Sequence, residues 1–506
     1  MTVQKYNIWY TFGFLTMSIL VFQESSAWRM FHLGRARGGN LGVPRSDDGG
    51  PLPNALWFDQ TLDHFDHLDV RTWSQRYFVN DTFWERGGPV FLMIGGEGPA
   101  NAMWMKTGSW IDYARSHKAL CFLLEHRYYG KSHPTPDLKV KNLRWLSSEQ
   151  ALADLASFIT AMNEVYSVPA GTRWVAFGGS YPGSLAAWLR AKYPHLVHAS
   201  VSTSGPLLAK ADFKEYYDVV WDSLASQSPE CVSTLVAATS QIEALTRTKK
   251  GLSELQTLFK LCEPLNTTSN NKIDELDLAA FFETLAGNLA GIVQYSGDNR
   301  EFEGAKGVNI TIPVACSVLQ NSSLGAPVRR VATLNSLLLT AYNTSCLDYT
   351  YKSTIQQLRD YSWSAAVAEG GRQWMWQTCT EFGFYQTSSG KPDLLGNYFP
   401  LEYFVRQCAD VFGPRYNGTL LQHAIDQTNI EYGGLAVDTS RVVFVHGSVD
   451  PWHALGITHT LLPKCPAIYI KGTAHCANMY PAAPSDLPQL KAARKMIDSL
   501  LTQWLS

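Results

Sequence analysis

The chain has 506 residues, of which 45% are hydrophobic, and a formal net charge of −2 at pH 7. This composition excludes a wholly disordered chain, and the length predicts two domains or one domain with a large insertion. Because the charge is nearly balanced and no basic run extends beyond Arg35–Arg37, nucleic acid is not an expected partner.

The first 27 residues predict a signal peptide. Lys5 precedes an uncharged, mostly apolar run from Ile8 to Phe22, and the small residues Ser25-Ser26-Ala27 offer a cleavage point. The run is short for a membrane span, although a retained anchor is the alternative. No later stretch approaches the roughly 18 uninterrupted apolar residues of such a span. We therefore expect a protein of the secretory pathway with no membrane anchor after signal removal.

The rest of the chain divides by its strand and helix patterns. Residues 28–54 are rich in Gly, Arg, Pro and Asp and predict a disordered leader or a removable pro-segment. Alternating buried strands and helices predict the first part of an α/β domain over 55–207, and helical stripes predict a mainly helical insertion over 208–430. The strand pattern resumes in 431–506, at Arg441–Val445 and Ala467–Ile470, so a second domain splits the sheet in sequence.

Cysteines and sequons agree with an oxidising compartment. Nine cysteines predict disulfides and at least one unpaired thiol, for which Cys121 in a predicted buried strand is the candidate. Cys465 and Cys476 flank the strand at 467–470, which argues against a bond between them. Six N-x-S/T sequons predict glycosylation at Asn80, Asn266, Asn309, Asn321, Asn343 and Asn417.

The stretch from Trp174 to Arg190 predicts a nucleophile elbow. A short apolar strand runs into Gly178-Gly179-Ser180-Tyr181-Pro182-Gly183, and a helical segment follows. Such a turn lifts a serine hydroxyl out of the sheet, and glycines at 178 and 179 let the backbone pass close to the following helix. Pro182 replaces the second glycine of the usual G-x-S-x-G pattern, which the start of a helix tolerates. The alternative is a serine in an ordinary strand-to-helix turn.

A serine nucleophile needs a base and a carboxylate that orients the base. Asp450 follows the strand at 441–445 and His475 follows the strand at 467–470, which is the chain order Ser, Asp, His of the α/β-hydrolase fold. We therefore predict a triad of Ser180, Asp450 and His475. His446 and His453 are rival bases, but both lie in the loop of the aspartate.

An oxyanion hole is predicted from backbone N–H groups of Tyr181 and of the Gly95-Gly96 turn, for which plain strand termination is the alternative. The sequence has no H-E-x-x-H motif and no Cys/His zinc spacing. Neither a metal nor a cofactor is expected.

Ordered motifs from about residue 56 to the C-terminus resemble one peptidase family. They include Gly95-Gly96-Glu97-Gly98, Glu125-His126-Arg127-Tyr128-Tyr129-Gly130, the elbow, Asp450-Pro451-Trp452 and Ala474-His475-Cys476. The chain is similar to the serine peptidases that include lysosomal Pro-X carboxypeptidase and dipeptidyl peptidase II, and within them to the thymus-specific serine protease branch. The resemblance implies an α/β-hydrolase fold with a helical cap between nucleophile and aspartate, the same triad, and peptide hydrolysis in lysosomes or endosomes.

The resemblance also implies a substrate pocket and a disulfide. Prolyl-cleaving relatives hold proline with Met and Trp side chains; Trp452 matches, but Ser184 and Phe384 stand where those relatives carry methionines. Trp376 and Glu97 complete the candidate pocket, and Cys379–Cys408 is the implied disulfide.

The sequence thus predicts a serine peptidase for short peptides, exopeptidase-like, of carboxypeptidase or dipeptidyl-peptidase type. A catalytically silent binding protein and a lipase or esterase are the alternatives. Three carboxylates, Glu97, Glu381 and Asp154, are candidates to anchor a substrate amine or are structural. The sequence leaves the oligomeric state open, with a homodimer as one candidate.

Overall fold

The computed structural model describes residues 31–36, 38–45, 49–265, 273–297, 310–391 and 396–506. The predicted signal peptide and the sequons at Asn266 and Asn309 lie outside the described residues.

Strands in the described part form one large sheet and two small ones. Their bounds are β1 (Phe31–His32), β2 (Arg35–Ala36), β3 (Leu56–Thr61), β4 (Thr72–Asn80), β5 (Val90–Ile94), β6 (Leu120–Leu124), β7 (Trp174–Gly179), β8 (Ala199–Thr203), β9 (Lys210–Asp212), β10 (Gly383–Tyr385), β11 (Val442–Gly447) and β12 (Ala467–Ile470).

The large sheet has eight strands in the order β12-β11-β8-β7-β5-β6-β4-β3. β4 pairs antiparallel with both β3 and β6, and all other neighbours are parallel. The central strands β5 to β8 and β11 are buried along their whole length. Their mostly apolar sequences follow from this position, because helices cover both faces of a parallel sheet.

The α-helices of the described part follow in chain order. Their bounds are α1 (Ser109–His117), α2 (Val140–Leu143), α3 (Ser148–Val165), α4 (Tyr181–Lys192), α5 (Glu215–Gln227), α6 (Pro229–Thr246), α7 (Lys249–Phe259), α8 (Glu275–Gln294), α9 (Ile312–Gln320), α10 (Pro327–Ala341), α11 (Tyr351–Arg359), α12 (Gly371–Gln377), α13 (Leu401–Phe412), α14 (Gly418–Tyr432) and α15 (Pro488–Leu505).

Helices cover the sheet on both sides. On one side Trp110 of α1 and Ile497 of α15 share a core with Phe177 of β7. On the other side Phe158 of α3 and Leu185 of α4 belong to the larger core, which continues into the insertion. The predicted α/β-hydrolase fold is confirmed, since a mainly parallel sheet lies between helices and the turn from β7 to α4 carries the serine.

Helices α5 to α14 lie between β8 and β11 in sequence. β9 and β10 add a small parallel pair, and α14 ends at Tyr432, just beyond the predicted end of the insertion at residue 430. α8 is the one helix in the described ranges that could cross a membrane by length and composition, but 83% of its apolar window is buried in the protein.

Three disulfides link parts of the insertion: Cys231–Cys316, Cys262–Cys346 and Cys379–Cys408. The last is the pair that the family resemblance implied. Cys121, Cys465 and Cys476 are unpaired and buried, so three thiols are free where the sequence required at least one.

The leader at 28–54 is not disordered where the structure describes it, and that prediction is wrong for residues 31–36 and 38–45. β1 and β2 form an antiparallel hairpin whose residues are buried. The Phe31 ring packs edge-on against Tyr295 at a centroid distance of 6.3 Å and faces Gly287 and Gly291 of α8. The hairpin is therefore ordered by contacts with distant parts of the chain, which its own composition does not reveal.

Candidate active site

Ser180 occupies a strained turn between β7 and α4. Its φ of 66° and ψ of −135° lie outside the regions that L-residues favour, as expected for a serine held at the tip of an elbow. A Cβ on Gly178 would lie 1.9 Å from Pro182 O, and one on Gly183 would lie 2.4 Å from Thr203 O. Glycine is required at position 179 for a different reason. A Cβ built there would meet the Met479 side chain, and not α4 as predicted.

Asp450 and His475 meet at the carboxyl ends of β11 and β12. His475 Nδ1 lies 2.8 Å from Asp450 Oδ1, and both side chains are fully buried. Burial alone would lower the pKa of His475, but the Asp450 carboxylate holds it well above its ordinary value. Burial alone would raise the pKa of Asp450, and the neighbouring His475 brings it below its ordinary value. The pair thus favours a carboxylate beside a strongly basic imidazole.

Ser180 and His475 share neighbours on the side that faces the leader. Asn40 Nδ2 donates to Ser180 Oγ at 3.1 Å, and Tyr295 OH donates to Asn40 Oδ1. The Tyr295 ring in turn packs edge-on against the His475 ring at a centroid distance of 6.1 Å. The serine, which is 3% exposed, and the histidine therefore lie in one buried cluster closed by Asn40.

Neither rival histidine takes the place of His475. His446 is buried against Gly456, and burial lowers its pKa to about 4. His453 packs against Tyr469 at a centroid distance of 5.4 Å. The imidazole that is hydrogen-bonded to Asp450 is that of His475.

The predicted oxyanion hole loses one of its three residues. Gly95 donates its backbone N–H to Leu124 O at 2.8 Å and so continues the sheet. Gly96 lies against Pro182, where a Cβ would come within 2.3 Å of the proline ring. Tyr181 is the first residue of α4, where helical N–H groups point outward. Tyr181 and Gly96 therefore remain the candidate donors.

The candidate pocket is aromatic, but two of its predicted members make their contacts with other parts of the fold. The Trp452 and Phe384 rings meet edge-on at a centroid distance of 5.4 Å. Ser184 is fully buried and donates to Pro206 O at 2.8 Å, so its hydroxyl serves the packing of α4. Trp376 packs against Phe412 instead, at 5.3 Å.

The indole on the pocket side is Trp374, which the sequence did not single out. Its ring stacks near Phe384 at a centroid distance of 6.5 Å, and its Nε1 donates to Leu33 O at 3.0 Å. Trp374 and Trp376 lie two positions apart on α12, and the sequence offered no signal to choose between them.

Two of the three candidate carboxylates are engaged within the fold. Asp154 accepts from Arg127 Nε at 2.7 Å and Nη2 at 2.6 Å, and from His64 at 2.8 Å. Glu381 accepts from Ser148 N at 2.8 Å and Ser148 Oγ at 2.6 Å at the start of α3, and burial raises its pKa to about 7. Both are best explained as structural groups.

Glu97 is the carboxylate at the site. It is 3% exposed, and burial raises its pKa above the ordinary value. Its Oε1 accepts the backbone N–H of Asn40 at 3.1 Å, whereas its Oε2 has no hydrogen-bond partner. A buried, half-satisfied carboxylate beside the nucleophile is suited to bind a donor or a cation.

The leader lies against both the serine and the aromatic pocket. Gly34 lies against Trp452, where a Cβ would come within 2.4 Å of the indole, and its carbonyl accepts from Gln294 Nε2. Arg35 binds Glu97 and Glu369, and Asn40 binds Ser180. The leader therefore occupies the space between the serine and the aromatic pocket.

No group of three or more His, Cys, Asp or Glu side chains in the described ranges is arranged to hold a metal ion.

A sequence model described as "Serine carboxypeptidase S28" matches residues 60–497. The chain belongs to this family. Human thymus-specific serine protease is 35% identical to this S28 chain, over 96% of the chain and 91% of that protein. Lysosomal Pro-X carboxypeptidase of Mus musculus is 30% identical, over 83% of each. The S28 chain is thus a serine-type peptidase, as predicted.

Among solved structures, a proline iminopeptidase of Mycobacterium smegmatis matches 88% of this S28 chain and 99% of its own, with 12% identity and a TM-score of 0.36.

Proposed function

We propose that this S28 peptidase hydrolyses short peptides through an acyl-enzyme intermediate, with Ser180, His475 and Asp450 as catalytic residues. The observation that carries the proposal is the buried hydrogen bond of 2.8 Å between His475 and Asp450, in the cluster that contains the strained Ser180. Nucleophile, base and orienting carboxylate are the three roles that acyl transfer by serine requires.

In the proposed mechanism, Ser180 Oγ attacks the peptide carbonyl carbon while His475 accepts the hydroxyl proton through Nε2, the nitrogen not bonded to Asp450. Asp450 stabilises the imidazolium that forms. The tetrahedral adduct then expels the amine, which receives the proton from His475. Water attacks the acyl-enzyme by the same route and releases the new carboxylate and Ser180. Backbone N–H groups of Tyr181 and Gly96 bind the oxyanion in both steps.

The aromatic pocket suits an apolar or prolyl residue before the scissile bond. Trp452, Phe384 and Trp374 supply flat apolar surfaces, and one of the similar proteins is named a Pro-X carboxypeptidase. The helical insertion contributes Tyr295, Trp374 and Phe384 beside the site, and this cover favours short or terminal segments, which supports exopeptidase-like action. Glu97 would then accept a main-chain N–H or a terminal amine, as it accepts the N–H of Asn40.

We place this activity in the secretory pathway and its lysosomal or endosomal branch. The predicted signal peptide, the three disulfides and a similar protein named as lysosomal support this. Asn321, Asn343 and Asn417 are exposed and suited to glycosylation, whereas Asn80 is half-buried and donates to Met105 O at 2.7 Å.

The leader is proposed to be a removable pro-segment. Asn40 presents a side-chain amide, and not a peptide carbonyl, to Ser180, so its contact blocks the serine without offering a bond to cleave. A peptide can reach Ser180 only when the leader leaves the cleft.

Replacing Arg35 with alanine in the full chain is expected to speed fluorophosphonate labelling of Ser180 about 10- to 100-fold. Labelling requires molecules whose leader has left, and losing charged hydrogen bonds of about 1.5–3 kcal/mol raises that fraction correspondingly. The measurement is the labelling rate at fixed probe concentration. Arg45→Ala is the matched control, because this arginine of the same leader is exposed. Equal rates for both variants and the wild type would show that the leader does not limit access.

The proposed reaction is tested by mass-spectrometric product analysis of a peptide library with the purified, processed protein at pH 5 and pH 7. We expect cleavage of short peptides at a bond near one terminus, with apolar or prolyl residues before it. Cleavage of ester substrates alone would identify an esterase, and no turnover of peptides or esters would favour a binding protein.

A further inference from the structure

The Arg35 side chain of the leader fills a pocket formed by the body of the protein. Arg35 is 4% exposed, and its Nε donates to Glu97 O at 2.7 Å. Its Nη1 lies 3.3 Å from Glu369 Oε1, and its Nη2 lies 3.2 Å from Glu369 Oε2 and 3.2 Å from Glu369 O. Two main-chain carbonyls and one carboxylate thus surround the guanidinium.

The pocket is shaped for this group. Gly370 has a φ of 142°, and a Cβ built on it would lie 2.2 Å from Arg35 Nη2 and 2.8 Å from Glu97 O. Any side chain at position 370 would therefore enter the space that the guanidinium occupies. We refer to Glu97 O, Glu369 and Gly370 as the guanidinium pocket.

The guanidinium pocket adjoins the reaction site. Gly34, the neighbour of Arg35, lies against Trp452, and Glu97 reaches Asn40, which holds Ser180. The unpartnered Oε2 of Glu97, on a side chain 3% exposed, is a further acceptor on the residue whose carbonyl binds Arg35. When the leader leaves, Glu97 O and the Glu369 carboxylate lose the donors that Arg35 supplies, and unpaired buried acceptors are costly.

We propose that the guanidinium pocket is a substrate subsite that selects a basic side chain, arginine before lysine, close to the scissile bond. This inference rests on the proposed peptidase function. Arginine is preferred because its planar fork can meet the Glu369 carboxylate with two nitrogens and Glu97 O with a third, whereas an ammonium is a single point of charge. The leader holds the subsite with its own arginine until it is displaced.

The test uses the full chain with Arg35→Ala, which vacates the pocket, and adds Glu369→Gln in a second variant. Peptide pairs carry arginine or its neutral isostere citrulline at one position near the cleaved bond. We expect kcat/KM for the arginine peptide to exceed that for the citrulline peptide about tenfold or more at one position with Arg35→Ala, and the ratio to fall towards one in the double variant. Because each ratio is taken within one enzyme preparation, it does not depend on the fraction of open molecules.

Glu254→Gln in the Arg35→Ala background is the matched control, since Glu254 of α7 is in an exposed ion pair with Arg329 of α10. It should leave the ratio unchanged. A ratio near one with Arg35→Ala alone, or a ratio that survives Glu369→Gln, overturns the inference while peptide turnover continues to support the peptidase.

A binding measurement separates the two proposals when no peptide is cleaved. Calorimetry with acetyl-arginine amide and acetyl-citrulline amide is carried out on the Arg35→Ala chain and on the wild type, whose pocket is filled. If Arg35→Ala binds the arginine compound about tenfold more tightly than the citrulline compound, the pocket is supported without any catalysis. Equal binding of both compounds to Arg35→Ala overturns it. Arg35→Gln replaces Arg35→Ala if the alanine variant does not fold.

Discussion

Ser180→Ala is expected to abolish fluorophosphonate labelling and to lower kcat on any cleaved peptide by about 10⁶-fold, the loss seen when a triad serine is removed. In the proposed mechanism this hydroxyl forms the covalent adduct. In the structure Ser180 Oγ accepts a hydrogen bond from Asn40 Nδ2, and such a bond contributes about 0.5–1.5 kcal/mol, so the alanine variant should fold. The labelled fraction and the rate of peptide turnover are measured on the same secreted preparation, with circular dichroism to verify folding.

Ser184→Ala is the matched control for the serine replacement. Ser184 lies on the same helix, α4, is equally inaccessible and donates to Pro206 O. Its loss should lower stability slightly and leave labelling unchanged. Stoichiometric labelling of Ser180→Ala would place the nucleophile elsewhere and remove the basis for the proposed mechanism.

The placement of the three candidate triad residues on the fold could be predicted from the sequence because each part depends on local patterns. Ser180 follows an apolar strand and sits among glycines, and Asp450 and His475 each follow a buried strand. In a parallel sheet the carboxyl ends of strands lie at one edge, so strand order and chain order together bring such residues close. The Asp450–His475 hydrogen bond across β11 and β12 is the direct consequence.

The errors arose where tertiary contacts outweigh local pattern. The leader has the Gly and Arg content of a flexible segment, yet Arg35 is held by Glu369, 334 positions later in the chain. Gly95 was assigned to the turn, but its N–H extends the sheet by one more bond to Leu124. Such pairings depend on which distant chain lies alongside, and a single sequence does not specify that.

Trp374, and not the predicted Trp376, faces the pocket for a geometric reason. Residues two positions apart on a helix point to nearly opposite sides, so only one of the two indoles of α12 can face the pocket. Trp374 meets Phe384 and the leader, and Trp376 meets Phe412 of α13. Both tryptophans are buried, so hydrophobicity alone gave no reason to choose.

The second large effect is expected from Asp450→Asn, which should lower kcat by about 10⁴-fold while Ser180 remains labelled slowly. Asparagine keeps an oxygen for the Trp452 N–H, which Asp450 Oδ1 accepts at 3.0 Å, so the loop should persist. The same oxygen faces His475 Nδ1 at 2.8 Å, so asparagine keeps this geometry but lacks the charge that stabilises the imidazolium.

The same replacement should change the pH dependence in a defined direction. The base must be neutral, so kcat/KM of the wild type rises as pH increases through the pKa of His475, which Asp450 holds above its ordinary value against the effect of burial. Without the carboxylate, burial lowers that pKa, and the rise should move to lower pH although the plateau is smaller. Asp438→Asn, which removes a carboxylate 94% exposed beside Lys464, should leave the profile in place. If Asp450→Asn lowers the plateau but the rise stays at the wild-type pH, the group that titrates is not His475.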